Sequence, residues 1–184
     1  MKNKLRKENK EKRSLMTKNE VCLKSRSASE RLLSMDVYCN AKTIMLYMPL
    51  GNETETSCIM KKAFEDGKRV VLPVTDENNV DIIPCIVTLE TEFKKGAYSI
   101  SEPSSMHICN ESEIDLVAVP GIAFGRNGAR VGFGKGYYDR FLKRTKAVKI
   151  GFCYDFQLSE YVAADDHDVP MDYIVTDTET LKLL

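Results

Sequence analysis

Short runs of apolar residues alternate along the chain with longer amphipathic segments, in which apolar and polar positions are mixed. Apolar runs typical of buried strands occur at 43–48, 69–74, 114–119 and 148–154. Between the first two runs, residues 56–66 have helical spacing and are followed by Gly67, a residue type that commonly terminates helices. Because strand, helix and strand follow one another, this segment has the order of a βαβ unit. The pattern therefore predicts an α/β fold with parallel strands.

The N-terminal region predicts two helices. Residues 1–13 contain seven Lys or Arg against two Glu, so residues 2–16 predict a basic helix. Thr17 and Glu20 have the spacing of a capping box at the start of a second helix. The basic side chains of the first helix either reach an anionic ligand or form a solvated charged face, and the sequence leaves both alternatives open.

The second half of the chain predicts further strands joined by polar segments. Residues 80–88 predict a strand antiparallel to the preceding one, because turn residues come closely before it. The polar segment 90–113 predicts irregular structure, with Glu102 and Pro103 in a surface loop. Residues 137–146 predict a short helix, and residues 173–176 predict a last short strand. Residues 178–184 predict at most a loosely held terminal helix.

Composition limits the class of protein. A chain of 184 residues with 43% apolar content is typical of one globular domain. Acidic and basic residues balance at 27 each, which gives no global field for nucleic acid or an anionic membrane. No apolar run approaches the ~20 residues that cross a bilayer, so we expect a cytoplasmic protein. The scattered cysteines predict buried free thiols rather than disulfides or a zinc site.

The candidate chemistry concentrates in a glycine-rich stretch. Six of the ten glycines lie within 121–136, interleaved with Arg126, Arg130 and Lys135. Dense glycine indicates tight turns or backbone that approaches a ligand, and exposed N–H groups beside cations suit phosphate oxygens. The stretch matches neither a P-loop nor a dinucleotide fingerprint. It predicts a phosphate cradle of another type, with a flexible loop of solvated charges as the alternative.

Carboxylates near this stretch suggest a metal-bound nucleotide. Asp139 directly follows the glycine loop, and an acidic turn contains Asp165, Asp166 and Asp168. Carboxylates and phosphate oxygens are the usual ligands of Mg²⁺, although a helix-start carboxylate and an ordinary turn residue are equally simple interpretations. Glu53 falls beyond the carboxyl end of a strand, where ligands bind in such sheets. Because no Ser-His-Asp or Cys-His arrangement is evident, these features favour phosphoryl transfer from a magnesium nucleotide.

Two segments of the glycine-rich stretch, 119–124 and 130–140, closely resemble the signature of 5-formyltetrahydrofolate cyclo-ligases, also called 5,10-methenyltetrahydrofolate synthetases. Weaker agreement, in matching order, covers nearly the whole chain: the basic N-terminus, 53–56, 67–73, Glu102 with Pro103, and Asp168. The resemblance implies a three-layer α/β/α sandwich with a mostly parallel, mixed central sheet. It implies one domain over residues 1–184, with the basic helix of residues 1–16 contributing to the ATP site.

The resemblance also implies a reaction and its site residues. The formyl oxygen of 5-formyltetrahydrofolate takes the γ-phosphate of ATP, and the N10 amine then attacks the activated carbon to form 5,10-methenyltetrahydrofolate. The implied catalytic residues are Arg130, Lys135 and Tyr138. The implied ATP-binding residues are Asn3, Lys4, Leu5, Arg6, Lys7, Arg130, Val131, Gly132, Phe133, Gly134, Lys135, Gly136, Tyr137 and Tyr138, with Lys4 and Lys135 on phosphate. The folate is expected at Met48, Glu53, Tyr137 and Tyr138, and Mg²⁺ at Asp139 and Asp168.

The expected partners are small molecules, ATP and a reduced folate, bound by a monomer without nucleic acid or membrane. The chain departs from the family pattern at Gly125, where most members carry Asp. Two other function classes remain open from the residues alone. One is a related α/β enzyme acting on another phosphorylated or CoA-linked molecule, and the other is a module that binds nucleic acid through its basic N-terminus.

Overall fold

The computed structural model describes residues 2–183, apart from the side chain of Ser99. The helices are α1 (Lys2–Leu15), α2 (Lys18–Leu33), α3 (Asp36–Asn40), α4 (Ser57–Glu65) and α5 (Tyr137–Leu142). The first strands are β1 (Thr43–Met45), β2 (Arg69–Asp76), β3 (Asp81–Val87), β4 (Phe93–Lys95), β5 (Ser101–Pro103) and β6 (Leu116–Val119). The later strands are β7 (Ala123–Gly125), β8 (Arg130–Val131), β9 (Val148–Phe152), β10 (Leu158–Ser159), β11 (Tyr173–Val175) and β12 (Thr180–Lys182).

A seven-stranded sheet in the order β12-β11-β9-β6-β1-β2-β3 forms the centre of the molecule. Neighbouring strands run parallel from β11 to β2, and the two edge strands β12 and β3 are antiparallel to their neighbours. The βαβ unit β1-α4-β2 and the antiparallel β3 are as the sequence predicts. The mixed, mostly parallel sheet is therefore confirmed.

Both faces of the sheet are covered, which gives the three layers. Successive strand residues point to opposite faces, so Ile44 and Leu72 join a core with α2, α3 and α4. Met45 and Val71 join the opposite core, where α5 contributes Phe141. Strands buried on both sides have near-continuous apolar sequences, which explains why β1, β2, β6 and β9 are recognisable from sequence.

The N-terminal helices form as expected. Glu20 N–H donates to Thr17 Oγ1 at 3.3 Å, and Thr17 N–H donates to Glu20 Oε2 at 2.8 Å, which completes the capping box of α2. The helix α1 packs against a small sheet of order β10-β7-β8 through Leu5, which lies against the buried cluster of Ala123, Ala129, Val131 and Val162. This packing places the basic helix beside the glycine-rich stretch.

Three expectations on local structure are wrong. Residues 180–182 form the edge strand β12 rather than a terminal helix, because exposed Thr180 and Lys182 alternate with half-buried Leu181 in a period of two. Glu102 and Pro103 are buried in β5 rather than exposed in a loop. All six cysteines are free, but three are exposed because their positions fall on solvent-facing helix surfaces: Cys22, Cys39 and Cys58.

Among residues 2–183, no helix combines the length and apolar character that crossing a bilayer requires.

Candidate active site

The glycine-rich stretch folds as a short hairpin, β7 and β8, followed by a loop that leads into α5. Gly134 and Gly136 have φ values of 105° and 71°. Residues with a Cβ rarely adopt this region of backbone conformation. Gly136 is the residue immediately before α5, which begins at Tyr137 as predicted. The glycines therefore permit a sharp reversal of the chain directly before the tyrosine pair.

A cavity of ≈ 250 Å³ lies against this loop, beyond the carboxyl ends of β1 and β6. The chain proceeds from β1 towards one edge of the sheet, whereas β6 leads to the other edge, so the cavity lies at the topological switch point. Its lining comes from three regions, the ends of strands, the glycine loop and the hairpin β4-β5. The lining residues are Tyr47, Met48, Leu50, Glu53, Pro73, Thr75, Ile82, Tyr98, Ile100, Glu102, Pro120, Arg130, Gly132, Phe133, Gly134, Lys135, Gly136, Tyr137 and Tyr138.

Glu53 and Arg13 form a buried ion pair at the floor of the cavity. Arg13 Nη1 lies 3.3 Å from Glu53 Oε1, and Leu50 N–H donates to Glu53 Oε2 at 2.9 Å. Burial raises the pKa of Glu53 from its ordinary value, although Arg13 and the Leu50 N–H oppose this shift. Both carboxylate oxygens thus have a protein partner, and α1 contributes a charge to the floor of the site.

Arg130 and Asp139 form a second pair at the floor of the cavity. Arg130 Nη2 donates to Asp139 Oδ2 at 2.9 Å, and Arg130 Nη1 donates to the Pro120 carbonyl at 3.3 Å. The other carboxylate oxygen of Asp139 accepts from Val169 N–H at 3.4 Å. The Arg130 Nε is buried and has no acceptor among the described residues. Arg130 is thus held by the protein itself, and Asp139 has one oxygen engaged by Arg130 and the other by Val169 N–H.

Tyr138 lies between these two pairs. The Arg130 guanidinium is 5.6 Å from the centroid of the Tyr138 ring. Burial raises the pKa of Tyr138 far above its ordinary value, the nearby Glu53 raises it further, and Arg130 opposes the shift. The phenol consequently stays protonated at neutral pH, so Tyr138 presents a hydrogen-bond donor rather than a base.

The mouth of the cavity is formed by exposed side chains. Lys135 Nζ donates to the Tyr98 hydroxyl at 2.5 Å and lies 4.9 Å from the centroid of the Tyr98 ring. Phe133 is 49% exposed, and Lys10 Nζ lies 5.1 Å from its ring centroid. An ammonium group beside exposed aromatic rings suits an anionic ligand that carries a flat ring.

The cations of α1 lie in different places relative to the glycine loop. Arg6 Nε donates to the Gly132 carbonyl at 2.9 Å, and Arg6 Nη1 donates to Asn3 Oδ1 at 2.7 Å. Lys4, by contrast, is 79% exposed, pairs with Glu8 at 3.7 Å and does not line the cavity. Lys7 is also exposed. Arg6 is therefore the residue through which the expected N-terminal segment contacts the loop.

The acidic turn binds a cation of the chain itself. Lys2 Nζ lies 2.6 Å from an oxygen of Asp165 and 2.6 Å from an oxygen of Asp168. Ligand atoms of Asp165, His167 and Asp168 all lie within 4.8 Å of one another. Although burial opposes it, the Asp165 N–H and Lys2 lower the pKa of Asp168. A cation thus fits between Asp165 and Asp168, whereas Asp139 has both oxygens engaged by Arg130 and Val169.

Sequence reasoning missed the hairpin wall of the cavity. Tyr98, Ile100 and Glu102 line the cavity, although they belong to the polar segment 90–113, for which the sequence predicts irregular structure. The Glu102 carboxylate accepts from Thr75 N–H at 3.0 Å, which fixes the hairpin against β2. The alternation of Ile100 and Glu102 with two serines is a strand signal, but its short length and polar content obscured it.

Gly125 has no room for the Asp that the family resemblance leads us to expect at this position. A Cβ at this position would lie 2.1 Å from Asn127 Oδ1 and 2.8 Å from Val162 N. The Asn127 side chain instead bonds Val162 through both of its polar atoms, at 2.9 and 3.2 Å. Gly125 does not line the cavity, so this departure affects packing beside the site rather than its lining.

Comparison with known proteins agrees with this architecture. The profile of the 5-formyltetrahydrofolate cyclo-ligase family matches residues 1–177. A 5-formyltetrahydrofolate cyclo-ligase of Mus musculus is 28% identical over 190 residues, covering 91% of this chain and 94% of the relative. The Escherichia coli K12 protein of the same name is 26% identical, covering 81% of this chain and 85% of its own.

Solved structures show the same fold. The NMR structure of Aquifex aeolicus 5,10-methenyltetrahydrofolate synthetase has a TM-score of 0.87 and 34% identity, covering 99% of this chain and 92% of that protein. A 5,10-methenyltetrahydrofolate synthetase from Mycoplasma pneumoniae has a TM-score of 0.78 and 28% identity, covering 96% and 98%. With a signature loop at the switch point and a match over most of its length, the chain belongs to the 5-formyltetrahydrofolate cyclo-ligase family of enzymes.

Proposed function

We propose that the chain converts 5-formyltetrahydrofolate to 5,10-methenyltetrahydrofolate, using ATP and releasing ADP and phosphate. The observation that carries the proposal is the single cavity in which the signature loop, with Lys135, faces the ends of β1 and β2, with Met48 and Glu53. None of the residues that line this cavity is a Ser, Cys or His that would serve as a nucleophile. Such a site suits a reaction in which the substrate supplies the nucleophile.

The proposed chemistry has two steps. The formyl oxygen attacks the γ-phosphorus of ATP, the bond from that phosphorus to the β,γ-bridging oxygen breaks, and ADP leaves. The product is an imidate phosphate whose carbon is a good electrophile. The N10 amine then attacks this carbon and loses its proton, and phosphate leaves with the former formyl oxygen. Positioning and charge neutralisation are sufficient catalysis for both steps.

On the nucleotide side, we assign the triphosphate to the glycine loop and Lys135. Lys135 lies at the mouth of the cavity and has no carboxylate partner within residues 2–183, so its charge is available to the transferring phosphoryl group. Arg6 supports the loop through the Gly132 carbonyl, and Asn3 in turn accepts from Arg6. This arrangement keeps the proposed N-terminal ATP segment but shifts its main contact from Lys4 to Arg6.

On the folate side, we assign the pterin to Met48, Glu53 and the Tyr137–Tyr138 pair. Glu53 is held by Arg13 and Leu50 N–H, so its position is fixed before a ligand enters. Protonated Tyr138 offers a hydrogen bond to the formyl oxygen or to the developing phosphate. Arg130 stays close enough to Tyr138 to stabilise negative charge there.

Magnesium fits the acidic turn better than it fits Asp139. Asp168 with Asp165 would hold the ion, after Lys2 moves away, and Asp139 would orient Arg130. Bound Mg²⁺ supplies charge neutralisation to the phosphate oxygens. We further propose that the protein is a cytoplasmic monomer. Its proposed partners are small molecules, because the balanced overall charge provides no general attraction to nucleic acid or to an anionic membrane.

The direct assay follows the absorbance of methenyl-folate in purified protein with 5-formyltetrahydrofolate, ATP and Mg²⁺. We expect absorbance to rise in the complete mixture and to stay flat when ATP is omitted or replaced by a non-hydrolysable analogue. Absence of a rise over a range of pH, nucleotide and metal conditions would contradict the proposed reaction.

A further inference from the structure

The two cations that line the cavity have different partners. Arg130 is buried and paired with the carboxylate of Asp139 at 2.9 Å. Lys135 forms no ion pair with any carboxylate of the described residues, and it donates a hydrogen bond to the neutral hydroxyl of Tyr98. Glu77 acts on Lys135 only through space and is the weakest influence on its pKa. A phenol fixes an ammonium group without neutralising its charge.

Tyr98 is placed for this contact by an unusual backbone. It lies in the connection between β4 and β5, in the left-handed region with φ of 55°. Residues other than glycine rarely adopt this conformation, and bulky side chains adopt it least. The hairpin that carries Tyr98 is fixed to the main sheet by the bond from Thr75 N–H to Glu102. The connection thus projects one aromatic side chain across the mouth of the cavity.

We propose that Tyr98 is a positioning residue that holds the Lys135 ammonium in place for the triphosphate before the nucleotide binds. This inference rests on the proposed function and adds a residue that neither the glycine signature nor the acidic turn contains. An unrestrained lysine side chain loses considerable rotamer freedom when it is fixed by a ligand. Because Tyr98 fixes Lys135 in advance, part of that entropy cost falls on folding rather than on nucleotide binding.

The geometry also explains why the partner is a tyrosine. One Lys135 hydrogen is used by the Tyr98 hydroxyl, which leaves two donors for phosphate oxygens. The Tyr98 ring adds a cation–π contact at 4.9 Å, so the lysine remains restrained if the hydroxyl turns towards Tyr137. A carboxylate in this position would hold the lysine as well but would repel the triphosphate.

The test compares Tyr98→Phe with the wild type in binding and in turnover. The phenylalanine keeps the ring but loses the hydroxyl acceptor. Isothermal titration with Mg²⁺ and a non-hydrolysable ATP analogue is expected to show affinity roughly 2- to 10-fold weaker, the range that one hydrogen bond provides. Steady-state kinetics are expected to show lower kcat/KM for ATP and an unchanged KM for 5-formyltetrahydrofolate. In a Lys135→Met background the same tyrosine substitution is expected to have no further effect on nucleotide affinity.

Tyr161→Phe is the matched control, because Tyr161 is also an exposed tyrosine, at 59% against 46% for Tyr98, and lies outside the cavity lining. Thermal unfolding of Tyr98→Phe should match the wild type, which separates the effect from misfolding. Equal nucleotide affinity in Tyr98→Phe and wild type, tighter binding in the variant, or an effect that persists in Lys135→Met would overturn the proposal. If the wild type itself binds no nucleotide and shows no turnover, the proposed function fails instead, so the two failures are distinguishable.

Discussion

The floor and the mouth of the cavity are built in opposite ways. At the floor, Arg13 pairs with Glu53 and Arg130 pairs with Asp139, and three of these four residues are buried. At the mouth, Lys135, Tyr98 and Phe133 are exposed. Lys135 contacts the Tyr98 hydroxyl, Lys10 lies over the Phe133 ring, and among the described residues no carboxylate forms an ion pair with Lys135. Paired buried charges keep a fixed position but have little capacity left for a ligand. Exposed and unneutralised charges retain that capacity. The difference supports our proposal that the floor maintains the shape of the cavity and the mouth binds the phosphates.

Among the substitutions that test this difference between floor and mouth, we expect the largest effect at Glu53. We expect Glu53→Ala to lower the free energy of unfolding by ~3–5 kcal/mol, because Arg13 stays buried without its partner. Turnover should fall as well, since Glu53 lines the cavity and belongs to the proposed folate site. Urea unfolding measures the first effect, and Glu65→Ala, on the exposed surface of α4, is the control. Unchanged stability of Glu53→Ala would show that the pair is not a structural part of the floor.

The same substitution has a pH signature. Because burial raises the pKa of Glu53 above its ordinary value of 4.5, the folded protein binds this proton more tightly than the unfolded chain. The Glu53 contribution to stability therefore decreases as pH rises from 4.5 through the raised pKa. We expect this decrease in the wild type and not in Glu53→Ala, as measured by unfolding at several pH values.

At the mouth, Lys135→Ala should remove activity without affecting the fold. Loss of a positioned cation at the transferring phosphoryl group commonly lowers kcat/KM by about 10²–10³-fold. The melting temperature should stay at the wild-type value because the side chain is exposed. Lys143→Ala, another exposed lysine close in sequence, is the control for the loss of charge. Normal turnover in Lys135→Ala would exclude its role in phosphoryl transfer.

Gly125→Ala tests the packing of Gly125 against Asn127 and Val162, which lies beside the cavity and belongs to neither the floor nor the mouth. The added methyl would overlap Asn127 Oδ1 and the Val162 backbone, and overpacking of this kind costs roughly 1–3 kcal/mol. Adding Asn127→Ala should recover part of that loss, so the two substitutions should be non-additive in urea unfolding. Simple additivity of the two effects would mean that Asn127 is not what excludes a side chain from position 125.

We expect the smallest effect, on the KM for ATP, when two cations of α1 are compared. Arg6→Ala removes the hydrogen bond to the Gly132 carbonyl and should raise the KM for ATP by roughly 10-fold. Lys4→Ala should leave that KM unchanged, because Lys4 faces solvent beside Glu8. A larger effect for Lys4→Ala than for Arg6→Ala would restore the expectation from sequence that Lys4 contacts phosphate.

The sequence predicts the sheet better than it predicts the mouth of the cavity. Apolar runs such as Thr43–Met45 must lie between two helical layers, so composition and order determine their place. The reversal before Tyr137 is likewise evident from the glycines. Tyr98 and Glu102 escape prediction because their roles depend on where a short polar hairpin meets β2, a contact of long sequence separation. The sequence likewise does not reveal that Asp139 forms an ion pair with Arg130. Because this pair neutralises the Asp139 carboxylate, it weakens the case for Asp139 as a metal ligand.

The central claim is that the substrate's own formyl oxygen is the nucleophile in this cavity. The most direct measurement uses 5-formyltetrahydrofolate labelled with ¹⁸O in the formyl group and analyses the released phosphate by mass spectrometry. The account predicts one ¹⁸O atom in each phosphate formed with a methenyl-folate molecule. Unlabelled phosphate, with methenyl-folate still formed, would contradict it.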